Sequence, residues 1–217
     1  MREEFTVLET GGFGPALEAM RFPTQSKSDS FIDANHNFII GPKDMKLAKD
    51  LLSKTETIED QEIFQGDTHG KFSRSIVAWI KCTGTRSFWS EADTYVVGMA
   101  PTSSTSTMYT LKKEYKNGTW RENFHDKTPQ RQIDGFDETM KDLIVEHGSI
   151  KEIPIDVLKY ALPEGWIQTR TRMFSYQTLR RIYLQRHDHR LPEWHTFCAA
   201  IEGLPYYDDL ISFKQND

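Results

Sequence analysis

The segment at residues 166–173 constrains the fold more than any other part of the chain. It reads WIQTRTRM, and with a period of two Ile167, Thr169, Thr171 and Met173 face one way while Gln168, Arg170 and Arg172 face the other. This period is typical of a strand with one covered and one solvated face. We therefore predict a half-solvated strand whose polar face carries Gln168, Arg170 and Arg172.

The helical period begins directly after this strand. Ser175 is a suitable N-cap for the following YQTLRRIYLQR, because its side chain can accept a hydrogen bond from a first-turn N–H. The predicted helix carries one stripe that ends on a cation and consists of Leu179, Ile182, Tyr183 and Arg186. A strand that leads straight into a helix is thus the best-defined unit of the sequence.

The strand period and the helix period also predict the other elements of the chain. Residues 74–82, RSIVAWIKC, predict a second strand with Ile76, Ala78, Ile80 and Cys82 on one face. Residues 111–135 are polar without a sustained period, and Asn117-Gly118 is a turn signal, so a hairpin or polar excursion is expected there. Helical spacing predicts further helices at 15–20, 44–54, 136–144, 154–162 and 191–201.

Length, charge and cysteine content bound the class of protein. A chain of 217 residues suits a single domain. A net charge of −5 argues against a nucleic-acid polymer as partner, because phosphate backbones are bound by many Lys and Arg. Cys82 and Cys198 lie far apart and outside a CxxC motif, which favours a reducing cytoplasm. Since neither a signal sequence nor a membrane-length apolar run is present, we expect a cytoplasmic protein without a membrane partner.

Six consecutive hydroxyl side chains, Thr102 through Thr107, are the most unusual local feature. Such a run is compatible with a flexible Ser/Thr loop, because these residues favour turns. It is equally compatible with a hydroxyl-rich edge strand. The third interpretation is a cradle for an anion or nucleotide, in which hydroxyls and backbone amides donate to phosphate or carbonyl oxygens.

Two further groups of polar residues have competing interpretations. His187-Asp188-His189, followed by His195, has poor spacing for a metal, so we expect no metal and a polar turn between two helices. Arg86 and Arg186 each follow an apolar element. Each is either a structural cation or a charge-assisted clamp on a ligand phosphate.

The first half of the chain resembles the flavin-dependent thymidylate synthases. His69 opens HGKFSRSIVAWIKCTGTR, in which Arg86 falls at the family's arginine, Glu91 at its glutamine and Gly98 at the glycine after its Arg-His-Arg triplet. The hydroxyl run then stands where the family has a serine and a closing tyrosine. The resemblance implies substrate binding at Ser104, Thr105, Ser106 and Tyr109, with Thr105 or Ser106 as the catalytic candidate.

The second half carries the stronger resemblance. Residues 161–186, ALPEGWIQTRTRMFSYQTLRRIYLQR, are similar to the family's Leu-Pro, strand and helix pattern with its closing Leu-x-x-Arg. Arg186 falls on an arginine that holds deoxyuridylate in the family, and Lys159 on another ligand-binding arginine. The resemblance therefore implies a substrate site with Arg186 and Lys159. It also implies an α+β fold with an antiparallel sheet flanked by long helices, and a homotetramer.

The chain departs from the family's pattern at the residues that bind flavin in the family. Thr94-Tyr95-Val96, or Asp93-Thr94-Tyr95 if the register slips by one, replaces Arg-His-Arg, and Ser175-Tyr176-Gln177 replaces Asn-Ala-Arg. Loss of cations from an anion site weakens it, because a hydrogen bond to a charged group contributes about 1.5–3 kcal/mol. Such divergence resembles phage-encoded relatives. The residues that the resemblance assigns to a cofactor, FAD, are His69, Thr94, Tyr95, Ser175, Tyr176 and Arg181.

Three functions are compatible with this sequence. The first is a pyrimidine-nucleotide-binding protein with a ligand like dUMP, in which FAD is weak or absent. The second is an active flavoenzyme that methylates or hydroxymethylates dUMP at C5, with the flavin as hydride source. The third is a protein that sequesters a nucleotide signal, or a structural oligomer. We expect the first, because Arg86, Lys159 and Arg186 are retained while the triplet is not.

Overall fold

A computed structural model describes residues 2–58, 61–64 and 66–213 of the chain. Its strands are β1 Glu4–Gly11, β2 Phe31–Ile32, β3 Phe38–Ile39, β4 Thr55–Ile58, β5 Gln61–Phe64, β6 Val77–Thr85, β7 Met99–Ser104 and β8 Ile167–Ser175. Its α-helices are α1 Phe13–Arg21, α2 Pro42–Leu52, α3 Gly66–His69, α4 Arg86–Ala92, α5 Thr107–Asn117, α6 Gln130–His147, α7 Ile155–Tyr160, α8 Tyr176–Arg186, α9 Pro192–Glu202 and α10 Tyr207–Leu210. Within the described ranges, no helix is both long and apolar enough to cross a membrane.

Four strands form the main sheet in the order β1-β6-β8-β7. Beside β6 and β8, the N–H of Arg86 donates to the carbonyl of Trp166 at 3.0 Å, and the N–H of Tyr176 donates to that of Ile76 at 2.8 Å. From Ile76 to Arg86 along β6, the bonded residue beside β8 moves back from Tyr176 to Trp166. The two strands therefore run in opposite directions and are antiparallel. The remaining pairs, β2 with β3 and β4 with β5, are antiparallel as well. The expected α+β fold on an antiparallel sheet is confirmed.

The chain divides into two compact units. Unit 1 contains residues 1–5, 81–94 and 102–171, and unit 2 contains residues 6–80, 95–101 and 172–217. The single domain expected from chain length stays a prediction.

Unit 1 is built around an aromatic core in which α5, α6, α7 and the start of β8 meet. Its buried members are Leu111, Trp120, Phe124, Phe136, Met140, Ile153, Leu158, Leu162 and Trp166. Instead of the hairpin or polar excursion expected at 111–135, the chain forms most of α5, a 3-10 turn at Thr119–Asn123 and the start of α6. Sequence periodicity does not reveal these elements, because only a few apolar residues are buried in each of them and these residues are unevenly spaced. Gly118 ends α5 in the left-handed region at φ 78°, which confirms the turn signal there.

Unit 2 buries one face of each of its longer helices. The residues with almost no exposure include Ala16 and Leu17 on α1, Leu179 and Ile182 on α8, and Trp194, Phe197 and Ile201 on α9. These positions are the apolar stripes that helical spacing predicts for α8 and α9. The side chain of Ser175 accepts a hydrogen bond from the N–H of Thr178, which confirms the predicted N-cap of α8.

One face of β8 differs from the expectation. Arg172 was predicted on a solvated face, but it is only 5% exposed, and its Nη1 lies 3.2 Å from the sulfur of Met99. Gln168 and Arg170, on the same face, are half-buried. The prediction of a half-solvated strand is therefore wrong at Arg172. Alternation shows that two faces differ, but it does not show whether other elements cover the polar one.

A buried carboxylate stabilises the start of α2 in unit 2. Asp44 has no solvent exposure and accepts from Arg21 Nε at 2.6 Å, from the Ser30 hydroxyl at 2.5 Å and from the Ser28 hydroxyl. Burial alone would raise the pKa of Asp44, but the hydrogen bonds from Ser28, Ser30 and Arg21 outweigh it and hold the pKa below the ordinary 3.8. The charged form is therefore part of the folded structure.

We expect Asp44→Asn to lower the free energy of unfolding by about 3 kcal/mol at neutral pH, because it leaves Arg21 buried without its counter-charge. A depressed pKa contributes stability above the unfolded pKa, and this stability is lost as pH falls through the folded pKa. Below pH of about 4 the wild type should therefore lose stability more steeply than the variant. Urea unfolding across pH measures both effects. Asp50→Asn, at an exposed position of the same helix, is the matched control and should change little.

Candidate functional site

In unit 2, Arg186 at the end of α8 lies among aromatic side chains. Its Nε donates to the hydroxyl of Tyr95 at 2.8 Å, and that hydroxyl donates to Gln185 Oε1 at 2.9 Å. The guanidinium carbon is 4.9 Å from the ring centre of Trp194 and 5.6 Å from that of Tyr95. These contacts fix the orientation of a half-buried cation, and each cation–π contact contributes roughly 0.5–1 kcal/mol or more. Arg186 and Tyr95 are thus brought together.

Two of the residues that the resemblance assigns to flavin belong to the interior of unit 2. Tyr176 has no exposure, its hydroxyl donates to the carbonyl of Pro205 at 3.0 Å, and its ring packs edge-on against Phe13. Ser175 is 2% exposed, and its hydroxyl caps α8. As placed, neither side chain offers a surface to a flavin ring. They position α8 instead.

The remaining flavin candidates are distributed over both units. In unit 2, Arg181 is exposed on α8. In unit 1, Thr94 is exposed just after α4, and its hydroxyl donates to the carbonyl of Glu91 at 2.7 Å. His69 ends α3 and is half-buried. No grip of several cations is formed by these residues as each unit places them.

His69 does lie at a cavity of about 430 Å³ in unit 2. The lining is mostly apolar and includes Ala19, Met20, Leu47, Leu51 and Phe72. An apolar cavity with a histidine at its wall fits one flat heterocycle better than it fits a phosphate, because nothing in it but Lys71 carries a fixed positive charge. The residues present therefore suit a flavin ring, but they do not provide the anion grip that the family's triplet supplies.

In unit 1, Arg86 is the first residue of α4 and follows the capping residue Thr85. Its Nε is inaccessible to solvent and makes no hydrogen bond with a described residue. The nearest carboxylate oxygen, Glu164 Oε1, lies 3.8 Å away, which is too far for a hydrogen bond. Sequence reasoning missed Glu164, whose approach to Arg86 depends on how the end of β6 lies beside the start of β8. The structure thus places a charged donor, partly shielded, with unused hydrogen-bonding capacity.

The hydroxyl run crosses from the edge of the sheet into α5. Residues 102–104 end β7, which is an edge strand, so the edge-strand interpretation is confirmed for this part. The N–H of Thr105 donates to the carbonyl of Thr169 at 2.8 Å, and the Thr105 hydroxyl accepts from the N–H of Thr169 at 3.1 Å. Ser106 occupies the N-cap position of α5 without a capping hydrogen bond. Ser104 is exposed, and Tyr109 is 85% exposed.

The other predicted residues lie on separate elements. Lys159 is exposed in the last turn of α7, and Glu91 is half-buried near the end of α4, where its carbonyl accepts from the Thr94 hydroxyl. His187 and His189 lie in the turn between α8 and α9, which confirms the polar turn expected there. Among the described residues, no group of three His, Cys, Asp or Glu side chains is placed to hold a metal ion.

Comparison with known proteins gives a likeness of structure without a likeness of sequence. No protein-family model and no curated protein matches the chain. Thymidylate synthase X (ThyX) from Helicobacter pylori with FAD and dUMP has a TM-score of 0.68 at 18% identity, over 97% of both chains. A second structure of the same enzyme with FAD and dUMP has a TM-score of 0.67 at 18% identity, over 96% of this chain and 98% of that one. The chain has the ThyX fold. At this identity the likeness shows the fold alone.

Within the ThyX fold, the structure assigns Ser175 to helix capping, and this role is testable. We expect Ser175→Ala to lower the free energy of unfolding by about 1 kcal/mol, the usual cost of a lost N-cap. Ser106→Ala is the matched control, because Ser106 has the same position in α5 without a capping hydrogen bond, and it should change stability little. Chemical denaturation measures both. Equal losses in the two variants would contradict the assignment.

Proposed function

We propose that the protein binds a pyrimidine nucleotide such as dUMP. The ThyX fold supports this proposal, since both solved structures hold dUMP and cover nearly the whole chain. The loss of the family's Arg-His-Arg triplet supports binding without flavin chemistry as the main function. A homotetramer, which the resemblance implies, is part of the same proposal.

The observation that carries the proposal is the unused donor of Arg86. The Nε of Arg86 is inaccessible, but the side chain as a whole is 33% exposed, so its other N–H groups can reach a ligand. A hydrogen bond to a charged group contributes about 1.5–3 kcal/mol. Phosphate and pyrimidine carbonyl oxygens are such acceptors, and a guanidinium can meet them with paired N–H groups. Arg86 is also the position at which the sequence resemblance expects a ligand-binding arginine.

Further residues that the resemblance assigns to the nucleotide supply charge and hydroxyls, each within its own unit. Arg186 is held in one orientation by Tyr95 and Trp194, which lowers the entropy that a cation loses on binding an anion. Lys159 adds a second exposed cation. We assign the acceptor and donor groups around the base to Glu91, Ser104, Thr105, Ser106 and Tyr109.

We expect the wild type to bind dUMP in calorimetry and Arg86→Lys to weaken that binding about tenfold or more, roughly 1.4 kcal/mol. Lysine keeps the charge but loses the paired donors of the guanidinium. Arg186→Lys should weaken binding similarly, because lysine cannot both donate to Tyr95 and present a second N–H pair.

The matched control is Arg131→Lys, at an exposed position of α6 in unit 1, which should leave dUMP affinity unchanged. Unfolding curves of all variants check that the fold persists. Equal affinity of Arg86→Lys and wild type would remove Arg86 from the site. No binding of any pyrimidine mononucleotide by the wild type would refute the proposal itself.

The second candidate function is a flavoenzyme that alters dUMP at C5, and the apolar cavity beside His69 favours it. When bound, flavin would supply hydride; His69 and the apolar lining would hold its ring away from water. FAD fluorescence titration separates the two functions. Quenching by the wild type that is lost in Ala19→Trp, which fills the cavity, but kept in Lys46→Trp would favour the flavoenzyme. We expect no quenching in any of the three proteins.

A further inference from the structure

A second, smaller cavity lies wholly within unit 1 and is separate from the His69 cavity. Its volume is about 160 Å³. A cavity of about 150 Å³ holds one benzene molecule, so the space suits a ligand part of about six heavy atoms. The cavity is lined by Thr105, Thr107, Thr110, Glu114, Asn123, Trp166, Ile167 and Thr169.

One face of α5 supplies the polar wall. Thr107, Thr110 and Glu114 follow one another at intervals of three and four residues, which places them on the same side of the helix. The buried side chains of Trp166 and Ile167, where β8 begins, provide the apolar wall. The cavity therefore has one polar side and one apolar side.

Thr107 has a hydroxyl whose hydrogen bonds are unmet. The residue is only 7% exposed, and its Oγ1 makes no hydrogen bond with a described residue, although the side chain lines the cavity. Solvent still reaches this oxygen, so a ligand that donates to it would take the place of a water molecule in the cavity. The hydroxyl is therefore available to a bound polar molecule.

Glu114 carries the only charge among the described lining residues. Its Oε2 accepts from Asn123 Nδ2 at 2.8 Å, while Oε1 makes no hydrogen bond with a described residue. The hydroxyl of Thr110 donates to the carbonyl of Ser106 at 3.2 Å and retains its lone pairs as acceptors. The cavity thus offers a negative charge and several acceptors to its occupant.

We propose that this cavity binds a small protonated primary amine. Its three N–H groups match Glu114 Oε1 and the hydroxyls of Thr107 and Thr110, and its methylene groups pack on Trp166 and Ile167. The partial positive charge at the start of α5 opposes a cation, but it amounts to about half an elementary charge against the full charge of Glu114. An anion would meet the same carboxylate without a counter-charge.

The test is calorimetry of the full chain with n-butylammonium chloride. Tetramethylammonium chloride has the same charge without an N–H group and serves as the ligand control. We expect the wild type to bind n-butylammonium at millimolar concentration and tetramethylammonium not at all. Glu114→Gln, which keeps an acceptor for Asn123, should weaken binding at least about tenfold. Glu122→Gln, the same change at an exposed nearby position, should leave binding unchanged.

Thr107→Val is the second variant, because it removes only the hydroxyl, and it should weaken amine binding severalfold. No binding of n-butylammonium by the wild type, or equal binding by Glu114→Gln, would overturn the proposal. Such an amine could come from a lysine side chain of a protein or from a free small molecule, and Nα-acetyl-lysine methylamide separates the two sources. If it binds more tightly than n-butylammonium, the site takes a protein lysine; if it binds more weakly, the site takes a free amine. Affinity for dUMP should be the same in Glu114→Gln and wild type, so this proposal and the nucleotide proposal fail separately.

Discussion

The hydrogen bond from the Thr178 N–H to the buried Ser175 hydroxyl fixes the point at which β8 becomes α8. Two other bonds meet at this junction, from the Ser175 N–H to the carbonyl of Gly98 at 2.7 Å and from the Tyr176 N–H to the carbonyl of Ile76 at 2.8 Å. Gly98 has φ 74°, and a side chain there would collide with the hydroxyls of Ser175 and Thr178. Three segments of unit 2 are therefore joined at one capped turn, and the direction of α8 follows from it.

The two ends of α8 have different environments as a result. Its first turn is fully buried, with Tyr176 inside the core, and Arg180 donates to the carbonyl of Ile211 at 2.7 Å. Its last turn carries Arg186 among Tyr95 and Trp194, where the cation keeps partial access to solvent. A helix anchored so firmly at its start presents its final side chain with little freedom, which suits recognition of a small ligand.

Sequence patterns predicted the elements in which periodicity and capping agree. The strand and helix around Ser175 and the apolar stripe of α9 were found in this way, because each local signal pointed to the same structure. Helix α5, the 3-10 turn at Thr119–Asn123 and the start of α6 were missed, since their burial depends on widely spaced aromatic residues that meet only after folding. The rest of α6 was predicted from the helical spacing at 136–144. Arg172 was misplaced for a related reason: a two-residue period does not reveal what covers a polar face.

The candidate site likewise has features that the sequence predicted and features that it could not show. The sequence identified Arg86 and Arg186 as cations that follow apolar elements, and it related Ser175 and Tyr176 to a flavin grip. It could not show that Arg86 has an unused donor or that Tyr176 is buried, because both depend on neighbours distant in sequence, such as Glu164 and Pro205. Helix capping and ligand binding draw on the same residue types, so only the surroundings separate them.

The position of β7 at the edge of the main sheet affects how the protein avoids aggregation. An open strand edge is a template on which other chains can add strands. Here Pro101 removes one N–H from the edge strand, and the strand stops after six residues at Ser104. The Thr102 hydroxyl donates to the carbonyl of Thr171 at 2.8 Å, so this side chain is committed to its own sheet. The same hydroxyl-rich segment thereby limits self-association through strand addition while it leads into α5.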